Sequence, residues 1–154
     1  MNPRLKQMER LQHLRGLQER RREVDLAKAN NRLRQVENQI VAERETANSH
    51  SLMLQQAMID GERPEMTLSQ RLRDMSFVTI EQLRKRKIAA ANLVEIAQEE
   101  LVESRRETEQ ASLLADAVRQ ELRKETERRE QSVSDDRFAA RQDWDRRQES
   151  LKAN

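Results

Sequence analysis

The sequence predicts an all-α protein: a long antiparallel two-helix coiled-coil hairpin with a C-terminal helical overhang. Three observations carry this. Helix breakers are nearly absent, with Gly only at 16 and 61 and Pro only at 3 and 64, so one Gly/Pro pair stands alone near mid-chain. Gly and Pro are the residues a helix interior tolerates least, and the rest is rich in Glu, Gln, Arg, Lys, Leu and Ala, which favour helix. Apolar residues recur in alternating steps of three and four, which keeps one narrow seam on one side of a helix. Finally, charge changes sign in blocks that oppose each other when the chain folds back at its middle.

The 154 residues form one elongated domain in this reading: helix 1 over about 4–60, a turn over about 61–66, helix 2 over about 67–131, and a tail over 132–154. In helix 1 the seam runs from Leu26 through Leu33, Ile40 and Ala47 to Ala57. In helix 2 it runs from Ile80 through Val94, Leu101 and Ala115 to Leu122. Small and polar residues such as His50, Lys87 and Ser104 occupy several seam positions, so the pairing is expected to be soft. Leu17 and Val24 follow a different phase from Leu26, which implies a break in the heptad beside Gly16. Thr67-Leu68-Ser69-Gln70 has the form of a capping box and marks the start of helix 2. Helix 1 would measure ~85 Å and helix 2 ~120 Å at the α-helical rise, so residues beyond about Glu125 have no partner. Ser132-Val133-Ser134-Asp135-Asp136 reads as a loosened joint or a fresh N-cap, followed by the tail aromatics Phe138 and Trp144.

Charge selects the pairing. Residues 1–35 hold ten basic and four acidic side chains, and 36–66 hold two and six. Residues 67–94 hold six and two, and 95–136 hold seven and thirteen. Folded at Pro64, each block meets its opposite, whereas a parallel in-register dimer would stack each on itself. An exposed pair contributes only about 0.2–1 kcal/mol, yet many in register choose an orientation. A monomeric hairpin is expected.

The composition argues against chemistry. With 38% charged residues, 2% aromatic residues and a mean hydropathy of −1.06, little apolar material remains for a thick core. There is no Cys, hence neither disulfide nor thiolate chemistry. The first residues show no apolar stretch of the signal-peptide type, so no secretory signal is expected, and no apolar run approaches a membrane span. Two glycines cannot build a phosphate loop, and His13 and His50 have no second His or Cys at ligand spacing. His50, on the seam, reads as a tolerated polar core residue. Neither an enzyme activity nor a cofactor or metal is expected. Arg84-Lys85-Arg86-Lys87 suits an anionic partner, but a run of four points around the whole helix and acidic 36–66 is there to neutralise it, so no nucleic acid is expected. Leu72, Met75, Phe77, Val78 and Ile80 cover more of the helix than one seam buries. They offer a contact surface near the turn, unless Phe77 simply caps the core beside His50.

A Cys-free chain of this length, with a basic segment Pro3–Arg22, a turn near residue 60, the helix opening Leu72–Leu83 and the tail Ser132–Glu149, resembles the bacterial type III secretion stalk proteins. These are the YscO-like proteins and their flagellar FliJ-like relatives. The resemblance covers the whole chain and rests on architecture; relatives often carry more aromatics near the hairpin turn than the lone Phe77. It implies a coupling role with no catalysis: one end in a hexameric secretion ATPase, the other at the membrane export gate, with export chaperones as further partners. It also implies a cytoplasmic location, peripheral at the inner-membrane face of a secretion apparatus. The residues suited to the ATPase are Arg15, Arg20, Arg21 and Arg22, with Arg119, Arg123 and Lys124 from helix 2. Those suited to the gate are Met75, Phe77 and Ile80, while Phe138 and Trp144 supply a further contact in the tail. From other classes, the same residues fit a structural coiled-coil scaffold or tether that dimerises through its apolar tail, or less well a nucleic-acid-binding basic helix.

Overall fold

The computed structural model describes residues 2–152, with side chains for 2–149. It is an all-α helical hairpin of two helices, α1 (Pro3–Asp60) and α2 (Arg63–Lys152), packed against each other with no strand among the described residues. Asn2 caps α1: its side-chain oxygen accepts from the Arg4 N–H at 2.9 Å and its carbonyl from the Lys6 N–H at 3.2 Å. Pro3 fills the first helical position, where an N–H would have no intrahelical acceptor.

The connector is tighter than the expected 61–66. Gly61 adopts φ 73°, a left-handed conformation that favours glycine, and the Glu62 N–H reaches back to the Ala57 carbonyl at 3.1 Å. That is the six-to-one bond of a Schellman C-terminus. α2 begins at once, the Met66 N–H donating to the Glu62 carbonyl at 3.0 Å. Pro64 does not delay the helix, because it falls in the first turn, where its missing N–H costs nothing. Thr67 therefore lies inside the helix rather than capping it, its hydroxyl donating to the Arg63 carbonyl at 3.1 Å.

The chain divides into two compact units, one over Gly16–Arg106 and one formed by the residues up to Arg15 with those from Glu107 onward. In Gly16–Arg106 the inward positions of α1 are 19, 22, 26, 29, 33, 36, 40, 43, 47, 50, 54 and 57, in strict steps of three and four. The predicted heptad break beside Gly16 is absent. Glu19 and Arg22 take the inward positions, while Leu17 and Val24 face solvent. Their long stems cover the seam and their charged ends pair across it, Glu19 with Arg105 at 3.5 Å and Arg22 with Glu100 at 2.7 Å. On α2 the seam starts earlier than Ile80, at Ser69 and Ser76, both buried, and continues through Ile80, Leu83, Ala90, Val94, Ala97 and Leu101 to Ser104. The pairs Glu19–Arg105 and Glu37–Lys87 (3.4 Å) fix the antiparallel register, each step towards the turn on α1 being matched on α2. Near the turn the buried residues are Ala47, Ala57, Ser69 and Ser76. These remove far less apolar area from water than a buried Leu or Ile, at about 0.8 kcal/mol per methylene, so this end is held weakly.

In the other unit Ala111, Ala115 and Val118 are buried on α2. Across the two helices Arg15 pairs with Glu107 at 2.7 Å and Arg119 with Glu9 at 3.2 Å. The expected joint at Ser132–Asp136 is also absent, since α2 runs through it unbroken. Ser and Asp cost only a few tenths of a kcal/mol each in a helix interior, and neither Gly nor Pro is there to stop the helix.

Candidate partner-binding surfaces

The arginines suited to a partner divide into two groups. Arg15, Arg22 and Arg119 are engaged inside the hairpin, with Glu107, Glu100 and Glu9 respectively. Arg119 also donates to Asp116 at 2.7 Å, and the hydrogen bonds it donates to Glu9 first and Asp116 second raise its guanidinium above its ordinary pKa. These three bridge the two helices, with part of each guanidinium committed inside the hairpin. Arg20, Arg21, Arg123 and Lys124 are exposed, and none makes an ion pair with the other described residues. Arg123 lines an open groove of about 430 Å³ with Leu5, Arg119, Leu122, Thr126 and Glu127.

Near the turn the three proposed contacts separate. Met75 is 66% and Phe77 50% exposed, so both are available, and Phe77 does not cap the core; the buried neighbour is Ser76. Ile80 is 5% exposed and belongs to the seam, which removes it from any partner surface in this conformation. The adjacent Val78 and Leu68 are exposed instead. His50 sits half-buried on the seam with its Nδ1 buried and without a hydrogen-bond partner in the described structure. Of the basic run, Arg84 pairs with Glu81 on its own helix and Lys87 with Glu37 on α1, leaving Lys85 and Arg86 exposed. At the connector, Glu65 is held above the ordinary carboxylate range by a hydrogen bond with Glu62 and by the charges of Glu62 and Asp60.

The tail differs in kind. Every described side chain from Arg123 to Glu149 is exposed, including Val133, Phe138 and Trp144, the last at 65%. Among the described residues no cluster of His, Cys, Asp and Glu is arranged to hold a metal, and no helix is long and apolar enough to cross a membrane. No protein-family model matches the chain, and neither a curated protein nor a solved structure matches it.

Sequence reasoning missed the division of the arginines, because spacing alone does not say which glutamate each guanidinium reaches. It also missed that one side of the hairpin near the turn is almost uncharged. The signal for that lay in the heptad positions flanking the seam.

Proposed function

We propose that the chain is a non-enzymatic stalk of a type III secretion apparatus, bridging a hexameric secretion ATPase and the membrane export gate and handling export chaperones. The observation that carries this reading is the split between committed and uncommitted cations. Arg15, Arg22 and Arg119 hold the helices in register, while Arg20, Arg21, Arg123 and Lys124 are exposed for an acidic surface. Exposed charges attract a partner reversibly and with strong salt dependence, which suits a part that engages and leaves a working ATPase. Met75 and Phe77 supply the apolar contact for the gate.

Binding and hydrolysis with the cognate ATPase, measured against salt, test this. Reversing Arg20, Arg123 and Lys124 to Glu weakens ATPase binding, more at low salt than at high salt, without unfolding the hairpin. Phe77→Ala leaves ATPase stimulation intact and impairs secretion. Unchanged binding at every salt concentration removes the mechanism. The exposed Val133, Phe138 and Trp144 favour a second reading, a passive tether held through the tail. In that case truncation after Lys124 abolishes attachment while the arginine reversals have no effect.

A further inference from the structure

In a chain that is 38% charged, one side of the hairpin in Gly16–Arg106 is almost free of charge. With Ile40 and Ala47 as a positions and Glu43 and His50 as d positions, this side is built from the c and g positions of both helices. Between Gln35 and Gln56 on α1, and between Leu68 and Ile96 on α2, those positions carry one charge, Arg86. Over the same spans the b and e positions of the opposite side carry six, from Glu37 and Arg44 to Glu95. The uncharged side exposes Met53, Leu68, Met75, Leu93 and Ile96. Its hydroxyls are already satisfied within their own helix. Thr46 donates to the Ala42 carbonyl, Ser49 to Glu45 and Thr79 to Met75, at 3.0–3.1 Å. Covering them therefore strands no donor, which is the main cost of burying polar groups.

We propose that a second copy of the chain covers this side, the two hairpins stacking face to face about a two-fold axis parallel to their helices. This goes beyond the stalk reading and does not depend on it; in the dimer Met75 and Arg21 face the second copy, which leaves Phe77, Arg20, Arg123 and Lys124 for the contacts of that reading. Such an axis lays α1 of each copy on α2 of the other, so the register already fixed inside the hairpin carries over between copies. Ser49 then lies level with Met75 of the second copy, a small residue against a large one. At the end of the face remote from the turn, Arg21 lies level with Glu103 of the second copy. There the c and g residues of α1 are Arg21, Asp25, Lys28 and Arg32, three basic to one acidic, and those of α2 are Glu100 and Glu103, which within their own hairpin also meet Arg22 and Arg106. Charge complementarity thus selects this stacking. The alternative, with turns at opposite ends, lays α1 on α1 and α2 on α2, so Arg21 no longer meets Glu103. The objection to a parallel dimer, that each charge block would meet itself, does not apply, because α1 meets α2. The nearly uncharged span is about 30 Å long on α1 and about 40 Å on α2 at the helical rise, and about 20 Å wide for two helices, on the order of 700 Å² per copy, close to the usual size of a specific interface.

Sedimentation of the full chain up to about 100 µM, the weak end for an interface of this area, tests the proposal. A reversible monomer–dimer equilibrium is expected. Met75→Glu with Leu93→Glu, both exposed and so harmless to helicity, raises the dimer dissociation constant by about 100-fold or more. Phe77→Glu with Ile88→Glu, on the opposite side, leaves it unchanged. Arg21→Glu weakens the dimer and adding Glu103→Arg restores it. Because the chain has no Cys, mixing Ser49→Cys with Met75→Cys gives a crossed disulfide between two copies. A chain that stays monomeric throughout overturns the proposal. So does a dimer disrupted by the Phe77/Ile88 pair but not by the Met75/Leu93 pair, or a mixture giving no crossed disulfide.

Discussion

Two stretches of α2 share a conformation but neither a composition nor a reason for it. From Ser69 to Leu122 one residue in every three or four turns inward against α1, and the buried ones are small or branched: Ile80, Val94, Leu101, Ala115 and Val118. From Arg123 to Glu149 none does. The first stretch is a helix because burial and inter-helix ion pairs reward it. The second rests on intrinsic propensity and local pairs such as Arg129–Glu125. Propensity and pairs of that kind contribute only tenths of a kcal/mol per residue, and isolated helices are marginal in water. One continuous helix thus holds two regimes of stability, and the second has no packing against α1 among the described residues.

The largest effect that sharpens this difference comes from placing a charge in each regime. Leu101→Asp buries an uncompensated carboxylate on the seam and is expected to cost about 3 kcal/mol or more, with a large drop in melting temperature by circular dichroism. Trp144→Asp, in the tail, shifts the same transition within error. Equal effects at the two sites would mean the seam is misassigned. Overpacking gives a second, smaller contrast. Ala115 is fully buried, so Ala115→Leu forces the helices apart and costs about 1–3 kcal/mol. Ala140→Leu is neutral or slightly unfavourable, because an exposed helical position has nothing to displace and Leu is a marginally weaker helix former than Ala.

How far the hairpin was legible from sequence follows the same line. The connector was legible because Gly61 and Pro64 are the only mid-chain breakers, and the antiparallel pairing because opposed charge blocks leave few alternatives. The break predicted beside Gly16 failed for a physical reason: apolar Leu17 and Val24 seemed to define the seam, but Glu19 and Arg22 fill it with aliphatic stems and paired heads. The joint at Ser132–Asp136 failed because mildly unfavourable residues do not end a helix without a competing structure. Of the candidate contacts, Met75, Phe77, Phe138 and Trp144 emerged exposed, but Ile80 did not. It satisfies both the seam spacing and the apolar surplus beside it, and spacing alone cannot choose between them.

The smallest expected effect lies at the connector. A carboxyl whose folded pKa is raised favours the folded state below its unfolded pKa, and that advantage is lost as pH rises through the raised value. Glu65 is such a group, because of Glu62 first and Asp60 after it. Glu65→Gln therefore raises the melting temperature slightly at pH 7, and the gain disappears as the solution is acidified through the carboxylate range. A gain that grew on acidification would contradict the assigned repulsion.

Amide hydrogen exchange on the full chain tests the two regimes most directly, since it reads opening along one helix in one experiment. Strong protection is expected from Ile80 to Val118, weaker protection between Ser69 and Ser76 where the seam is small and polar, and fast exchange from Arg123 to Glu149. Uniform protection along α2, or a tail exchanging as slowly as Leu101, would contradict the two regimes.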